Sequence, residues 1–174
     1  MEKKELEKLI RSIPDFPIKG VLFRDVTTLI KDPVGFKELI DEMKASLNGR
    51  QVDLVVGAEA RGFVIGAALA FALNAGFVLA RKPGKLPCAV LSEEYALEYG
   101  TNSIEIHQGA ILPGQKVVVA DDLLATGGTA RAVCTLVEKA GGEVVGVRFA
   151  VELSSEFDGR APLKEYDVDS VLRF

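Results

Sequence analysis

The chain has 174 residues, 48% hydrophobic and 26% charged, the balance of one globular domain large enough to bury a core without disulfides. A net charge of −4 excludes general attraction to DNA or anionic lipid, so any anion must be caught by a local site. The charged start lacks the apolar core of a signal peptide, and the longest apolar run, 63–72, is too short to cross a membrane. Two cysteines, Cys88 and Cys134, and one histidine, His107, lack metal-ligand spacing and predict reduced thiols in a cytoplasmic protein.

In chain order, Leu6, Leu9, Ile10 and Ile13 recur at helical spacing and predict an amphipathic helix stopped by Pro14. Residues 14–25, PDFPIKGVLFRD, are punctuated by Pro and Gly and predict an irregular segment with two exposed aromatics. Asp32-Pro33 reads as helix N-cap and first turn. Phe36, Leu39, Ile40, Met43 and Leu47 supply that helix's apolar face, and Asn48-Gly49 ends it. VDLVVG (52–57) is a short continuous apolar run, the mark of a strand buried on both faces. A helix over 62–75 follows, ended by Asn74 and Gly76, and then a second buried strand, FVLA, over 77–80.

From 81 to 109 the pattern changes. RKPGKLP (81–87) is a basic loop, SIEIH (103–107) alternates, and Tyr95 to His107 predicts a hairpin turning at Gly100. KVVVADD (116–122) is a third buried strand, and Ala132, Val133, Leu136, Val137 and Ala140 mark a helix closed by Gly141-Gly142. VVGVRFAVEL (144–153) is a fourth strand and YDVDSVLRF (166–174) contains a last one. Buried strands alternating with helices predict an α/β fold in a single domain over 1–174, a mostly parallel sheet flanked by helices.

Ligands of an open parallel sheet sit at the carboxyl ends of its strands. There, Thr126-Gly127-Gly128-Thr129 lets the backbone turn tightly and present successive N–H groups ahead of a helix start, an anion cradle suited to phosphate. An ordinary strand-to-helix turn with a threonine N-cap is the plainer alternative. The run is neither a Walker loop nor a dinucleotide glycine motif. Asp121 and Asp122 beside it would repel phosphate unless they face something else. Vicinal ribose hydroxyls are the natural choice, a magnesium ion the second, and a solvated strand end the third. Arg61, Arg81, Lys82 and Lys85 lie on loops after neighbouring strands and suit a second, more highly charged phosphate group.

VVVADDLLATGGT (117–129) resembles the phosphoribosyl-pyrophosphate (PRPP) motif of the type I phosphoribosyltransferases. Three further segments, FPIKGVLFRDVTTLIKDP (16–33), GAEARGF (57–63) and RKPGKLP leading to YALEYG (81–100), narrow the likeness to the adenine-using branch. The resemblance implies the type I phosphoribosyltransferase fold, with a small hood at about 14–30, a core over 33–153 and a flexible hairpin loop at about 82–108. It implies a purine-salvage transferase that moves the 5-phosphoribosyl group of PRPP to N9 of adenine, giving AMP and pyrophosphate. Mg2+ accompanies the substrate and is held mainly by PRPP rather than by protein side chains. A homodimer is implied, with no nucleic-acid or membrane partner.

Position by position, the resemblance implies that Ala125, Thr126, Gly127, Gly128 and Thr129 hold the 5′-phosphate and that Asp121 and Asp122 meet the ribose hydroxyls. Arg61 falls in the pyrophosphate loop and is assigned a catalytic part; Arg81, Lys82, Lys85 and Tyr99 reach pyrophosphate, some across a dimer. Phe23 is expected to stack on adenine, the main chain at Leu22 and Arg24 to read its edge, and Leu123 to pack on the opposite face. Glu98, on the closing hairpin, matches the residue that handles the purine proton, a role that needs a pKa raised by closure; a solvated hairpin acid is the competing reading. One position departs from the family pattern. Ala60 stands where a serine is usual, which removes one hydroxyl contact to pyrophosphate and leaves the reaction unchanged. The rival readings are an enzyme of the same fold that prefers hypoxanthine, guanine or xanthine, and a PRPP-sensing nucleic-acid-binding regulator.

Overall fold

The computed structural model describes residues 3–96 and 100–174. Its first half runs α1 (Lys3–Leu9), β1 (Arg11–Pro14), β2 (Leu22–Asp25), α2 (Thr27–Lys31), α3 (Pro33–Ala45), β3 (Leu54–Ala58), α4 (Arg61–Leu73) and β4 (Gly76–Ala80). The second half continues with β5 (Val90–Ala96), β6 (Thr101–His107), β7 (Lys116–Leu124), α5 (Gly128–Lys139), β8 (Glu143–Glu152), a 3-10 helix (Ala161–Leu163) and β9 (Val168–Arg173).

The apolar runs pair as a five-stranded, all-parallel sheet in the order β4-β3-β7-β8-β9. Each face of the sheet has its own core. Leu6, Leu29, Leu39, Met43, Ile65 and Leu69, from the first four helices, cover one face. Val133, Leu136 and Val137 of α5, with Ile104 and Ile106 of β6, cover the other. The predicted cap of α3 is present, with Asp32 Oδ1 accepting from the Val34 and Gly35 amides at 3.1 and 2.7 Å. Among the described residues no helix is long and apolar enough to cross a membrane. Cys88 and Cys134 are free, and burial in α5 pushes the Cys134 thiol up to about 12, which makes it unreactive.

Several sequence expectations need correction. The first helix stops at Leu9, and Ile13 lies instead in β1, opposite Phe23 in the antiparallel β1–β2 ribbon. Pro14 disfavours helical geometry at Ile13, so the apolar spacing there belongs to a strand. The segment expected to be irregular therefore contains β2. Strand β4 is an edge strand with Leu79 39% exposed, so it is not buried on both faces. Helix α4 ends on Asn74 in the left-handed conformation at φ 54°, while Gly76 already opens β4. The hairpin begins at Val90, before Tyr95. Strand β9 joins the main sheet, so the core extends past residue 153.

At the amino end of the sheet the Arg148 side chain is 1% exposed. It donates to Ser46 Oγ, the Asp167 carbonyl and Asp167 Oδ2, each at 2.7 Å, and so ties β8 to α3 and β9. Arg148→Met should lower the unfolding free energy by about 1–3 kcal/mol in urea melts, because it removes the charge-assisted hydrogen bonds that a buried guanidinium makes to α3 and to the residue before β9. Turnover by the folded fraction should be unchanged, because the contacts lie away from the strands' carboxyl ends.

Candidate active site

Strands β3 and β7 are neighbours, yet α4 leaves β3 on one face of the sheet and α5 leaves β7 on the other. The loops that follow the two strands diverge, and a crevice opens between them at the topological switch point. A cleft of about 380 Å³ lies there, lined by Glu59, Ala60 and Arg61 after β3 and by Asp121, Asp122, Leu123 and Thr129 from β7 and its loop. Lys82 and the hairpin residues Tyr95, Asn102, Ser103 and Ile104 form its remaining wall. A smaller hollow of about 100 Å³ sits inside the loop Ala125 to Thr129.

Both helices that start at the cleft begin without a side-chain cap. The N-cap of α4 is Ala60 and that of α5 is Gly127, neither of which bonds the first amides. By contrast, α3 is capped by Asp32, and the first amide of α2 is taken by Asp25 Oδ1 at 2.9 Å. Two helix N-termini thus open on one region with no side-chain cap on their first amides, each adding positive potential. Ala60 has no side-chain acceptor to offer those amides. The Glu59–Ala60 peptide is cis.

The two acids lie within β7, as KVVVADD predicts, and the strand runs two residues further to Leu124. Asp122 is buried and accepts from Arg61 Nε, while the half-exposed remainder of Arg61 borders the cleft. Asp121 Oδ1 accepts from the Asp122 amide at 2.8 Å. It lies so close to the start of α4 that a Cβ on Gly62 would come 2.6 Å from it, and only glycine leaves that room. Burial first, and then the charge of Asp122, push the Asp121 carboxyl well above the usual carboxylate range. The hydrogen bond to Asp122 holds Arg61 protonated ever more firmly, with Asp121 and Asp25 adding to that field.

The phosphoribosyl transferase domain family matches residues 30–171 of this chain. The chain belongs to the type I phosphoribosyltransferases, in the adenine phosphoribosyltransferase family. It is 52% identical over 171 residues to the adenine phosphoribosyltransferase of Lachnoclostridium phytofermentans, covering 98% of each chain. A crystal structure of adenine phosphoribosyltransferase from Thermoanaerobacter pseudethanolicus superposes with a TM-score of 0.95 at 51% identity, covering 99% of this chain and 100% of that one. The Saccharomyces cerevisiae enzyme, solved with an imino-altritol bisphosphate and adenine, gives 0.90 at 36% identity over 97% of each chain.

In this phosphoribosyltransferase the cleft collects Arg61, Lys82, Asp121, Asp122, Leu123 and Thr129, all singled out from sequence. Arg81 and Lys85 are not in its wall. Arg81 Nε donates to Glu59 Oε2 at 2.8 Å and its Nη1 to the Lys85 carbonyl at 3.2 Å, so that guanidinium is engaged within its own loop. Leu22, Phe23 and Arg24 stand on the β1–β2 ribbon, where Phe23 meets Phe16 edge to face at 5.2 Å. Glu98 and Tyr99 lie outside the described residues. Sequence reasoning missed Tyr95, Asn102, Ser103 and Ile104 of the hairpin. The only available signal was the alternation of the hairpin, which says that one face is covered without saying by what.

Proposed function

We propose that this chain transfers the 5-phosphoribosyl group of PRPP to N9 of adenine, releasing AMP and pyrophosphate. The observation that carries the reading is the pair of uncapped helix starts, at Ala60 and Gly127, flanking the adjacent acids Asp121 and Asp122. A sugar that bears phosphates at two ends needs this arrangement: one anion cradle at each end and carboxylate acceptors for the hydroxyls between them. The loop Ala125 to Thr129 takes the 5′-phosphate. The start of α4 with Arg61 and Lys82 takes pyrophosphate, assisted by Arg81, Lys85 and Tyr99. Adenine lies against Phe23 and Leu123, its edge read by the main chain at Leu22 and Arg24, and Glu98 handles the purine proton. The acceptor C=O and donor N–H of a main chain complement the N6 amino group and N1 of adenine.

The reaction centre develops positive charge at the sugar C1 as the C1–oxygen bond to pyrophosphate breaks and the bond to N9 forms. Catalysis rests on aligning the base with that carbon and on offsetting the charge of the departing pyrophosphate with Arg61 and the helix N-termini. Mg2+ would accompany PRPP and be coordinated mainly by its oxygens rather than by protein side chains. When bound, the ion neutralises part of the pyrophosphate charge. We further propose a homodimer. Val64 and Phe71 of α4 are 45% and 87% exposed, and Leu79 on the edge strand β4 is 39% exposed, an apolar face suited to a second copy.

Radiolabelled adenine, hypoxanthine, guanine and xanthine incubated separately with PRPP, magnesium and the purified chain test the reading. Adenine should be converted to AMP and the oxo-purines left unconverted, because an oxo group reverses the hydrogen bond demanded at the edge. Conversion of hypoxanthine in place of adenine would overturn the choice of base.

A further inference from the structure

The hood is a two-stranded ribbon, β1 with β2, and such a ribbon is marginally stable by itself. Something outside it must fix its position. Along β2 the side chains alternate, so Arg24 points to the opposite side of the ribbon from Phe23. On that opposite side the Arg24 guanidinium stacks over the ring of Phe174, with Cζ 4.3 Å from the ring centroid. Its Nη1 donates to Ser12 Oγ at 2.5 Å, across the ribbon on β1. Among the described residues its buried Nε has no hydrogen-bond partner, and the negative face of the ring offsets part of the loss of water at that nitrogen.

Phe174 is itself held by the central sheet. Its amide donates to the Glu152 carbonyl at 2.9 Å, at the end of β8. Its own carbonyl accepts from the Ser155 amide at 2.9 Å and from Ser154 Oγ at 3.1 Å. One aromatic ring therefore links the carboxyl end of the sheet, where the sugar phosphate binds, to the strand whose main chain reads the base.

We propose that Phe174 is a positioning residue for adenine: by stacking on Arg24 it fixes β2 over the cleft without touching any substrate. The inference rests on the assignment of the β1–β2 ribbon as the base-reading hood. It separates Phe174 from the phosphate-binding groups, because the anion sites are built on β3, β7 and their helices. Loss of the ring should therefore weaken the use of base and spare the use of PRPP.

The test compares Phe174→Ala, Phe174→Leu and Phe174→Tyr with the parent enzyme, varying adenine and PRPP in turn and following amide hydrogen exchange at residues 22–25. Loss of one partly desolvated cation–π contact should raise the KM for adenine about five- to tenfold in the Ala and Leu variants. The KM for PRPP should change by less than about twofold, and Tyr, which keeps the π face, should restore the parent value. Exchange at 22–25 should quicken in the Ala variant relative to β3 and β7, and not in the Tyr variant. Equal changes in both KM values, no change in either, or full rescue by Leu would overturn the proposal. If the parent enzyme does not use adenine, the proposed reaction fails, and the exchange comparison alone then decides the clamp: unchanged exchange at 22–25 in the Ala variant refutes it.

Discussion

Replacing Gly127 by valine should reduce kcat/KM for PRPP by at least about a thousandfold, since it removes several preorganised anion donors at once. Gly127 has φ +80°, a conformation that costs a β-branched residue about 1–3 kcal/mol. The backbone penalty is the smaller part. A Cβ at this position would be driven into the carbonyl oxygen of Gly159 and would lie 2.8 Å from Pro162 Cγ. Gly159 is packed as closely against the same loop, since a Cβ there would come within 2.8 Å of Leu124 Cγ. The phosphate loop and the 158–162 segment interlock through two glycines, so any side chain must shift backbone and pull the amides of 126–129 out of alignment. The same clash should lower the melting temperature, so the effect reaches beyond PRPP binding to the fold. Gly128→Ala is the control. Its Cβ would meet nothing closer than Tyr95 Cδ2 at 3.5 Å, and it should not lower the melting temperature. Initial rates with PRPP varied, together with thermal melts of both variants, check the contrast.

Asp121→Asn should move activity and stability in opposite directions. Removal of a charged acceptor from the sugar site should cost about a hundredfold in kcat/KM for PRPP. Stability should rise at neutral pH. Burial, and the charge of Asp122 next to it, raise the pKa of Asp121 in the folded protein, so between the ordinary carboxylate pKa and that raised value the folded state holds more protons than the unfolded one. The stability linked to this group is complete below about pH 4 and is lost as the pH climbs through the raised value. Asparagine has no proton to lose and keeps an oxygen to accept from the Asp122 amide. Thermal melts from pH 4 to pH 8 should show the variant above the parent at neutral pH, with the gap closing toward pH 4. A gap independent of pH, or a less stable variant at pH 7, would contradict the assigned burial of this carboxylate.

The features that could be read from sequence share one property: each rests on local chemistry. The Asp32-Pro33 helix start, the parallel strands in VDLVVG and KVVVADD and the glycine turn at 126–129 need only their own residues to be recognised. What escaped reading depends on partners distant in the chain. Strands β1 and β2 are four residues each and are defined by pairing with one another, which periodicity over so short a span cannot reveal. The exposed side of β4 follows from its place at the sheet edge, a consequence of strand order that its apolar sequence FVLA does not encode. At the site, Asp121, Asp122 and Arg61 stand out in the sequence, yet the ion pair between Arg61 and Asp122 spans 61 residues and exists only in three dimensions. The absent caps of α4 and α5 were legible in principle, since Ala60 and Gly127 cannot cap. They gain meaning only once both helix starts face one cleft.

The most direct measurement of the central claim is a crystal structure of the chain with AMP bound. The 5′-phosphate should lie in the Ala125 to Thr129 loop, the ribose hydroxyls against Asp121 or Asp122, and the adenine ring on Phe23 with its edge at the main chain of Leu22 and Arg24. AMP bound in that loop with its base turned away from the β1–β2 ribbon, or a nucleotide bound away from the β3–β7 crevice altogether, would contradict it.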